Sequence, residues 1–555
     1  MAQEGTWRLC RGVLGFLLLF FPKDDTLYKI ITLLPVRAER TEKRMLRLIP
    51  DIQQFTPADG KCDLSRLTLR GFPEGYAYGI DNASDGLPVR FFQTEMPAEG
   101  YRIDLKQDGI DVFAADGRGA YYAVVTLRQL KRFSDGAVDC GVIEDSPRCS
   151  YRGYMLDVGR YFFPVEDVCK LIDLISLYKI NVLHLHLTED QGWRVEIKRY
   201  PKLTEIGSKR KRTHIHLKPH EGFYTQEDLR FLVSYAKARA VEIMPEFDMP
   251  GHCTAVVAAY PDLACFPRSV GVAETFGVKF DVLCLAQDAT FEFVRSVLDE
   301  MIEIFPYPMV HIGGDEVPTH RWELCPACRD LYAKSGVGNW LEYQARFMNR
   351  VSEYLRSKGK TAVMWNPPHS VKGLDPSIVW QFWTDELPAG VVEAELAAGR
   401  KMINSDSKGY YLDFLYGMTP LRKTYRTKPS FVEGKQGADS VIGIEGAMWT
   451  ELVPDLRRAE YLTFPRLAAI AERAWSREED FEGFSAAWDM HQRYLREKGV
   501  RTAPKRVYRS SIVQAVAHKI WWARRQLYWG GLRNLIDNKK IETKAKNMKQ
   551  KGDGR

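Results

Sequence analysis

Eight short apolar runs recur between residues 153 and 449, and this recurrence limits the fold more than any other feature of the chain. They are GYMLDVG (153–159), NVLHLHL (181–187), VEIMPEFD (241–248), MVHIGGDE (309–316), TAVMWN (361–366), IVWQFW (378–383), KMINSD (401–406) and IGIEGAMW (442–449). Each is short for a helix and too evenly apolar for a sheet with one wet face. Runs of this kind are strands buried on both sides, the signature of a parallel sheet. Most gaps between them have helical apolar spacing. VEDVCKLIDLISLYK follows Pro164, and QEDLRFLVSYAKARA follows Thr225, a favourable N-cap. Eight such strands alternating with helices predict an α/β fold, a closed (β/α)8 TIM barrel over residues 150–500. The gap between the fifth and sixth runs is short and lacks a clear helix, so that unit is irregular.

In barrels of this kind the working residues gather where the strands end, on the C-terminal face. Here the runs end in chemically expensive residues: Arg160, then Glu189 and Asp190, Glu246 and Asp248, Asp315 and Glu316, Trp365, Trp383, Asp406, and Trp449 with Glu451. One polar strand end carries no meaning, but eight on one rim define a pocket. The sharpest is VHIGGDEV (310–317), in which two carboxylates stand side by side and raise one another's pKa. In isolation these eight residues read equally well as a strand-end turn with Asp315 capping the next helix. The seven other strand ends decide for a site. The two glycines would remove side chains so that a ligand can lie against the backbone.

The flanks differ from this pattern. Residues 46–146 read as a small α+β domain: EGYRIDLKQDGIDVFAAD alternates around a turn at Gln107-Asp108-Gly109, and GAYYAVVTLRQLKR has helical spacing. EDSPRCSY (144–151) marks the boundary. Residues 1–45 hold RLCRGVLGFLLLFFP, which resembles the start of a signal peptide without its small-residue cleavage site. It is short of the roughly 20 residues that span a bilayer. Residues 8–22 acting as a signal or anchor would export the chain; a start at Met45 would leave it cytoplasmic. Residues 505–555 form a basic, aromatic extension, read as a solvated helix with a frayed end. Association of either terminus with a membrane surface is the alternative.

The formal net charge is +7, but residues 501–555 carry 15 basic and 3 acidic residues. That tail is +12, so the first 500 residues hold +7 − 12 = −5. Nothing in a mildly acidic body argues for nucleic-acid binding there, and no nucleic-acid partner is expected. Ten cysteines are scattered along the chain. Cys325 and Cys328 form one C-x-x-C with no second pair at zinc-ribbon spacing, which reads as a buried thiol pair or a local disulfide. Cys265 and Cys284 bracket one loop and would bridge in an oxidising compartment. No metal ligands and no cofactor are assigned.

Carboxylates, an arginine, a histidine and several aromatics, without a phosphate loop or a metal-type histidine cluster, suit sugar chemistry. Aromatic faces stack on pyranose C–H faces, and charged groups hold the hydroxyls. Hydrolysis of a glycosidic bond needs an acid for the leaving oxygen and a group to stabilise positive charge on the ring. Neighbouring residues at one strand end do not easily face an anomeric carbon from opposite sides. A nucleophile supplied by the substrate removes that difficulty and points to a 2-acetamido sugar.

The chain resembles glycoside hydrolase family 20, the β-N-acetylhexosaminidases. The matching stretches are YRGYMLDVGRYFFP, NVLHLHLTEDQGWRVEIKRYPKLTEIGS, PEFDMPGHCTA, HIGGDEV, QFWTDE, YYLDFLYG, IEGAMWTELV and FPRLAAIAERAW, in order over about residues 150–476. The resemblance implies hydrolysis of terminal non-reducing β-linked N-acetylhexosamine from oligosaccharides or glycoconjugates through an oxazolinium intermediate. Glu316 would be the general acid/base. Asp315 would hold the acetamido N–H, orient its carbonyl oxygen onto the anomeric carbon and balance the oxazolinium charge. Arg160, Asp413 and Glu451 would grip sugar hydroxyls. Trp365, Trp383 and Trp449 would wall the pocket, with Tyr411 bonding the acetamido oxygen. Asp190 and His252 would form the polar chain behind Glu316. Taken alone, His252 reads as a core histidine and Trp365 and Trp383 as core; the motifs and strand-end positions favour the site. Glu189 is the weaker member of the 189–190 pair, solvated or a contact from behind. Arg152 reads as an ion pair at the barrel bottom. Trp365 is followed by NPP where the family often has an acidic residue, and residues 1–44 and 505–555 have no counterpart. The alternatives are a family 18-like chitinase, against which DGIDVFAAD lacks the terminal acid and precedes the barrel, and a non-catalytic sugar-binding barrel.

Overall fold

The computed structural model describes residues 46–526 apart from 81–82, 214–216, 368, 370, 385, 388–389 and 429–436, together with 539 and 543. The apolar leader and most of the basic tail beyond 526 lie outside the described residues. Among the described residues no helix is long and apolar enough to cross a membrane.

Six strands form the first sheet: β1 Gln54–Asp63, β2 Leu67–Arg70, β3 Leu87–Gln93, β4 Tyr101–Leu105, β5 Ile110–Ala114 and β6 Ala137–Asp145, in the order β1-β6-β4-β5-β3-β2. β4 and β5 are the antiparallel hairpin expected around Gln107–Gly109. Helix α1, Gly117–Phe133, starts where the Asp116 carboxylate accepts the Gly119 N–H and ends on Lys131 and Arg132, each charge suited to its end of the helix dipole. Tyr122 on α1 stacks edge-on against Trp475 at 5.4 Å, which joins this sheet to the bottom of the second unit.

That second unit is a closed parallel barrel. Its strands are β7 Tyr151–Asp157, β8 Val182–His186, β9 Glu242–Glu246, β10 Met309–His311, β11 Thr361–Trp365, β12 Val379–Phe382, β13 Met402–Asn404 and β14 Val441–Met448. The main helices are α2 Val165–Ser176, α3 Gln226–Lys237, α4 Asp288–Ile304, α5 Pro326–Ser335, α6 Trp340–Ser357, α7 Val391–Ala397, α8 Leu421–Arg426 and α9 Arg466–Trp475. α3 opens on a capping box between Thr225 and Asp228. No helix joins β11 to β12 among the described residues.

Side chains alternate along each strand, so every second residue points inward and the interior fills in layers. At the N-terminal end lies an apolar layer of Tyr151, Val182, Met244, Val363, Val379 and Ile403. At the C-terminal end lies an aromatic layer in which Met155, Trp365 and Ala447 pack with Trp383, Tyr411 and Trp449. Between them the pairing register aligns Asp157, His186, Glu246 and His311. Burying that polar layer is costly unless its members satisfy one another.

Beyond the barrel, helix α10, Ile512–Gln526, exposes Ile512, Val513, Val516 and Ile520 and is held to the loop at Gly417, whose N–H donates to His518 Nδ1 at 2.8 Å.

Candidate active site

Strand β10 stops at His311, and the rest of the IGGDE run is turn. Gly313 and Gly314 have φ of +63° and +97°, the left-handed region that glycine enters without penalty. A Cβ on Gly313 would lie 1.7 Å from Asp248 Oδ1, and the Gly314 N–H donates to the same oxygen at 3.3 Å. The expectation that these glycines clear space for a ligand is therefore corrected for Gly313, whose space is filled by the protein's own Asp248 carboxylate; a Cβ on Gly314 would instead meet Met364 Cε at 2.9 Å. Glu316 itself sits at φ +48°, a conformation that costs a non-glycine residue free energy and is characteristic of functional turns. Its consequence is to send adjacent carboxylates into different surroundings. Asp315 is 8% exposed, whereas the Glu316 side chain is 46% exposed.

His252 lies behind Glu316. Its backbone is also left-handed, at φ +49°, and its Nε2 stands 3.8 Å from Glu316 Oε2. Its Nδ1 is 2.8 Å from Glu189 Oε1 and 3.7 Å from Asp190 Oδ2. Asp190 Oδ1 accepts from the Thr254 N–H and hydroxyl, at 2.9 and 2.6 Å, and so anchors the loop that carries His252. The solvated reading of Glu189 does not hold. It is 1% exposed, touches His252 directly, and reaches Arg160 Nη2 and His186 Nε2, each at 3.2 Å.

Beneath these groups Glu246 is the hub of the polar layer. His186 Nδ1 stands 2.5 Å from it, His311 Nδ1 2.9 Å and His184 Nε2 3.1 Å, and Trp365 Nε1 donates to it at 2.9 Å. Burial opposes its charge, but His186 and His311 hold its carboxyl well below the usual range. Sequence reasoning places Glu246 and Asp248 at a strand end without a role. His184 and His186, two apart on β8, and His311 at the end of β10 are the signal that a buried acid needs partners.

The electrostatics run the other way at the rim. Burial, with Glu316 and Glu246 adding to it, pushes Asp315 up to about 7 against the pull of His252. Burial and Asp315 together raise Asp248 well above its ordinary value. Burial disfavours charge on His252, yet Glu189, Asp248 and Asp315 outweigh it and hold the imidazolium well above the usual histidine range.

The remaining expected residues surround this centre. Arg160 lies over the Trp449 ring at 5.0 Å, with Nη2 3.2 Å from Glu189 and 3.8 Å from Glu451. Trp365 and Trp449 stand 5.5 Å apart, and Tyr411 is 6.0 Å from Trp449. Trp383 is braced by Asn366, which accepts its backbone N–H at 2.8 Å and its indole N–H at 3.0 Å. Asn366 stands in the NPP stretch that departs from the family pattern, and its side chain serves to brace this wall. Burial and the neighbouring Glu451 raise Asp413 well above the usual carboxylate range. Asp315 Oδ1, Asp413 Oδ1, Asp190 Oδ2 and Arg160 Nε are buried without a hydrogen-bond partner among the described residues. Buried polar atoms without partners are costly. Asp406 is different: its carboxylate accepts the Lys408 N–H and caps a short helix at Ser407–Tyr410.

Aromatic walls, convergent carboxylates and one guanidinium define a glycosidase site on a TIM barrel. Comparison with known proteins agrees. Residues 149–478 match the glycosyl hydrolase family 20 catalytic domain, and residues 68–146 match domain 2 of that family. A beta-hexosaminidase of Akkermansia muciniphila is 35% identical over 396 residues, which cover 69% of this chain and 80% of that one. A beta-hexosaminidase of Porphyromonas gingivalis is 36% identical over 456 residues, 77% of this chain and 56% of a longer relative. The fold superposes on an exo-β-N-acetylglucosaminidase from Vibrio harveyi, solved with N-acetylglucosamine, with a TM-score of 0.74 at 29% identity, covering 83% of this chain and 78% of that one. The chain belongs to glycoside hydrolase family 20. Its activity is that of the family, removal of terminal N-acetylhexosamine with assistance from the substrate's own acetamido group.

Proposed function

We propose that Glu316 and Asp315 divide the cleavage between them. Glu316 donates a proton to the glycosidic oxygen while the bond from that oxygen to the anomeric carbon breaks. The acetamido carbonyl oxygen attacks the same carbon and forms an oxazolinium ion. Asp315 accepts the acetamido N–H, which aims that oxygen and then balances the positive charge. Water next attacks the anomeric carbon and displaces the acetamido oxygen, giving its proton to Glu316, so the bond to that oxygen breaks, the acetamido group is restored and configuration is retained. Both carboxyls are thus returned to their starting states.

The observation that carries this reading is the split environment of one dipeptide. Asp315 is buried with an oxygen that no described residue satisfies, and Glu316 is open and backed by the His252 imidazolium. A buried carboxyl at about 7 is poised to ionise when an amide N–H and a developing cation arrive. The aromatic layer of Trp365, Trp383, Trp449 and Tyr411 is the wall for the acetamido group and ring, and Arg160, Asp413 and Glu451 hold hydroxyls. His252, Glu189 and Asp190 position Glu316 from behind.

The test is a split by leaving group. Glu316→Gln should lose most of its turnover on substrates whose leaving group needs protonation and keep much more on an aryl glycoside that leaves unaided. Equal losses on both would contradict the acid role. Asp315→Asn should be impaired on both, because the acetamido group loses its orienting acceptor.

A further inference from the structure

Four cysteines outside the sugar site form a cluster that no catalytic step uses. The sulfur atoms of Cys265, Cys284, Cys325 and Cys328 lie within 4.8 Å of one another. Cys284 and Cys328 are separated by 3.6 Å, and Cys265 and Cys328 by 3.8 Å. A disulfide would bring one pair to about 2.04 Å. All nine described cysteines are instead free, so neither the C-x-x-C pair nor the Cys265–Cys284 pair is bridged. Four thiolates bound to zinc at about 2.3 Å stand about 3.8 Å apart along each edge of the tetrahedron. The Cys284–Cys328 and Cys265–Cys328 separations have that spacing, and the other four pairs lie within 4.8 Å.

The local folding explains how the four meet. Ala264 and Leu283 form an antiparallel bridge, which sets Cys265 beside Cys284 although 19 positions separate them. The Cys284 N–H donates to Leu263 O at 2.8 Å and fixes that pairing. The other two cysteines come from the start of α5, with Cys325 at its N-cap, Pro326 in its first turn and Cys328 one turn in. The positive end of a helix favours thiolate. Cys284, Cys325 and Cys328 are buried and Cys265 is half-buried, so the sulfurs are largely shielded from water.

We infer that Cys265, Cys284, Cys325 and Cys328 form a tetrathiolate site for one Zn2+, which clamps the loop after β9 to the loop after β10. Four protein ligands leave no open position, so the metal is structural. Its binding displaces the thiol protons to solvent and contributes folding free energy directly. The location gives the clamp its purpose. The loop after β9 carries Asp248 and His252, and the loop after β10 carries Asp315 and Glu316. Zinc on the far side of both would fix the separation between His252 and Glu316 without touching substrate.

The full chain, purified without chelators, should contain about one zinc per molecule by mass spectrometry of its metals. Withdrawal of zinc should make Cys265, Cys284, Cys325 and Cys328 reactive to alkylation in the native protein, while Cys62, Cys140 and Cys253, buried elsewhere, stay protected throughout. Cys284→Ser and Cys328→Ser should lose the metal, and Cys149→Ser, a change outside the cluster, should keep it. If the serine variants fail to fold, exchange of the wild-type metal for Co2+ gives an independent reading: thiolate-to-cobalt charge-transfer absorption with the visible bands of a tetrahedral site. Chelation should lower the thermal unfolding midpoint and change the fluorescence of Trp322, which packs beside the cluster through its hydrogen bond to Leu283 O at 2.9 Å. Protein that carries no zinc and takes up none after reduction, a mapped disulfide among these four cysteines, or iron in place of zinc would each overturn the assignment.

Discussion

At the N-terminal end of the barrel Arg152 meets Glu99 at 2.8 Å, and Lys179 meets Asp145 at 3.1 Å, all of them buried. Asp145 also accepts the Trp475 indole N–H at 2.9 Å. At the C-terminal end, carboxylates crowd around Arg160 and His252, and Asp315, Asp413 and Glu451 are each raised above the ordinary carboxylate range, with burial as the first cause. One end neutralises its charges with partners supplied by the fold. The other stores unneutralised acids and unpartnered oxygens that a cationic, hydroxyl-rich intermediate can satisfy. The contrast separates charge kept for cohesion from charge kept for chemistry, and the same kind of substitution should act in opposite ways at the two ends.

The largest effect expected is on turnover at the upper end. Glu316→Gln should lower kcat on poorly activated substrates by roughly 10² to 10⁴, the range for a lost general acid. Asp315→Asn should lower it by about 10² to 10³. In both, steady-state kinetics should change while the melting profile stays that of a folded protein. At the lower end Arg152→Met should leave the buried Glu99 with only Arg118 at 3.3 Å and the Asn181 amide at 3.2 Å, and cost about 1–3 kcal/mol of stability. Denaturant titration measures that loss, and the folded fraction should keep near-normal kcat. Equal kinetic damage from Arg152→Met would erase the distinction between the ends.

Smaller effects sharpen it. Gly313→Ala forces a left-handed residue, at about 1–2 kcal/mol, and pushes a methyl into Asp248, so activity should fall with modest destabilisation. Trp365→Phe removes the indole donor to Glu246, leaving a buried acceptor short at about 1–3 kcal/mol. The pH dependence of stability gives the subtlest reading. Asp315 keeps its proton in the folded protein from its ordinary value of 3.8 up to about 7, a window in which the unfolded chain has lost it. The folded state binds more protons there, so this group's contribution falls as pH rises through that window. Asp315→Asn should therefore melt above the wild type near neutral pH, with the advantage shrinking towards pH 4.

Most of this architecture is legible in the residues, for physical reasons. Strands buried on both faces show as apolar runs, so all eight could be placed, though MVHIGGDE overstates a strand that ends at His311. The hairpin around Gln107–Gly109 and the capped helix after Thr225 follow from local chemistry alone. What stayed hidden depends on register between distant strands. Glu246 becomes a hub only because β8, β9 and β10 align it with His186 and His311. Glu189 outranks Asp190 as the direct contact of His252 because of the turn geometry after β8, which neighbouring positions in sequence do not reveal. The partners of the C-x-x-C lie in another loop and at unequal spacing, so no motif joins them.

The central claim is that the substrate's own amide supplies the nucleophile while Asp315 holds it. Its most direct measurement compares kcat/KM for an aryl 2-acetamido-2-deoxy-β-glucoside with that for the aryl β-glucoside bearing the same leaving group. Rapid release from the first and none above background from the second is the outcome expected; comparable rates on both would contradict the account.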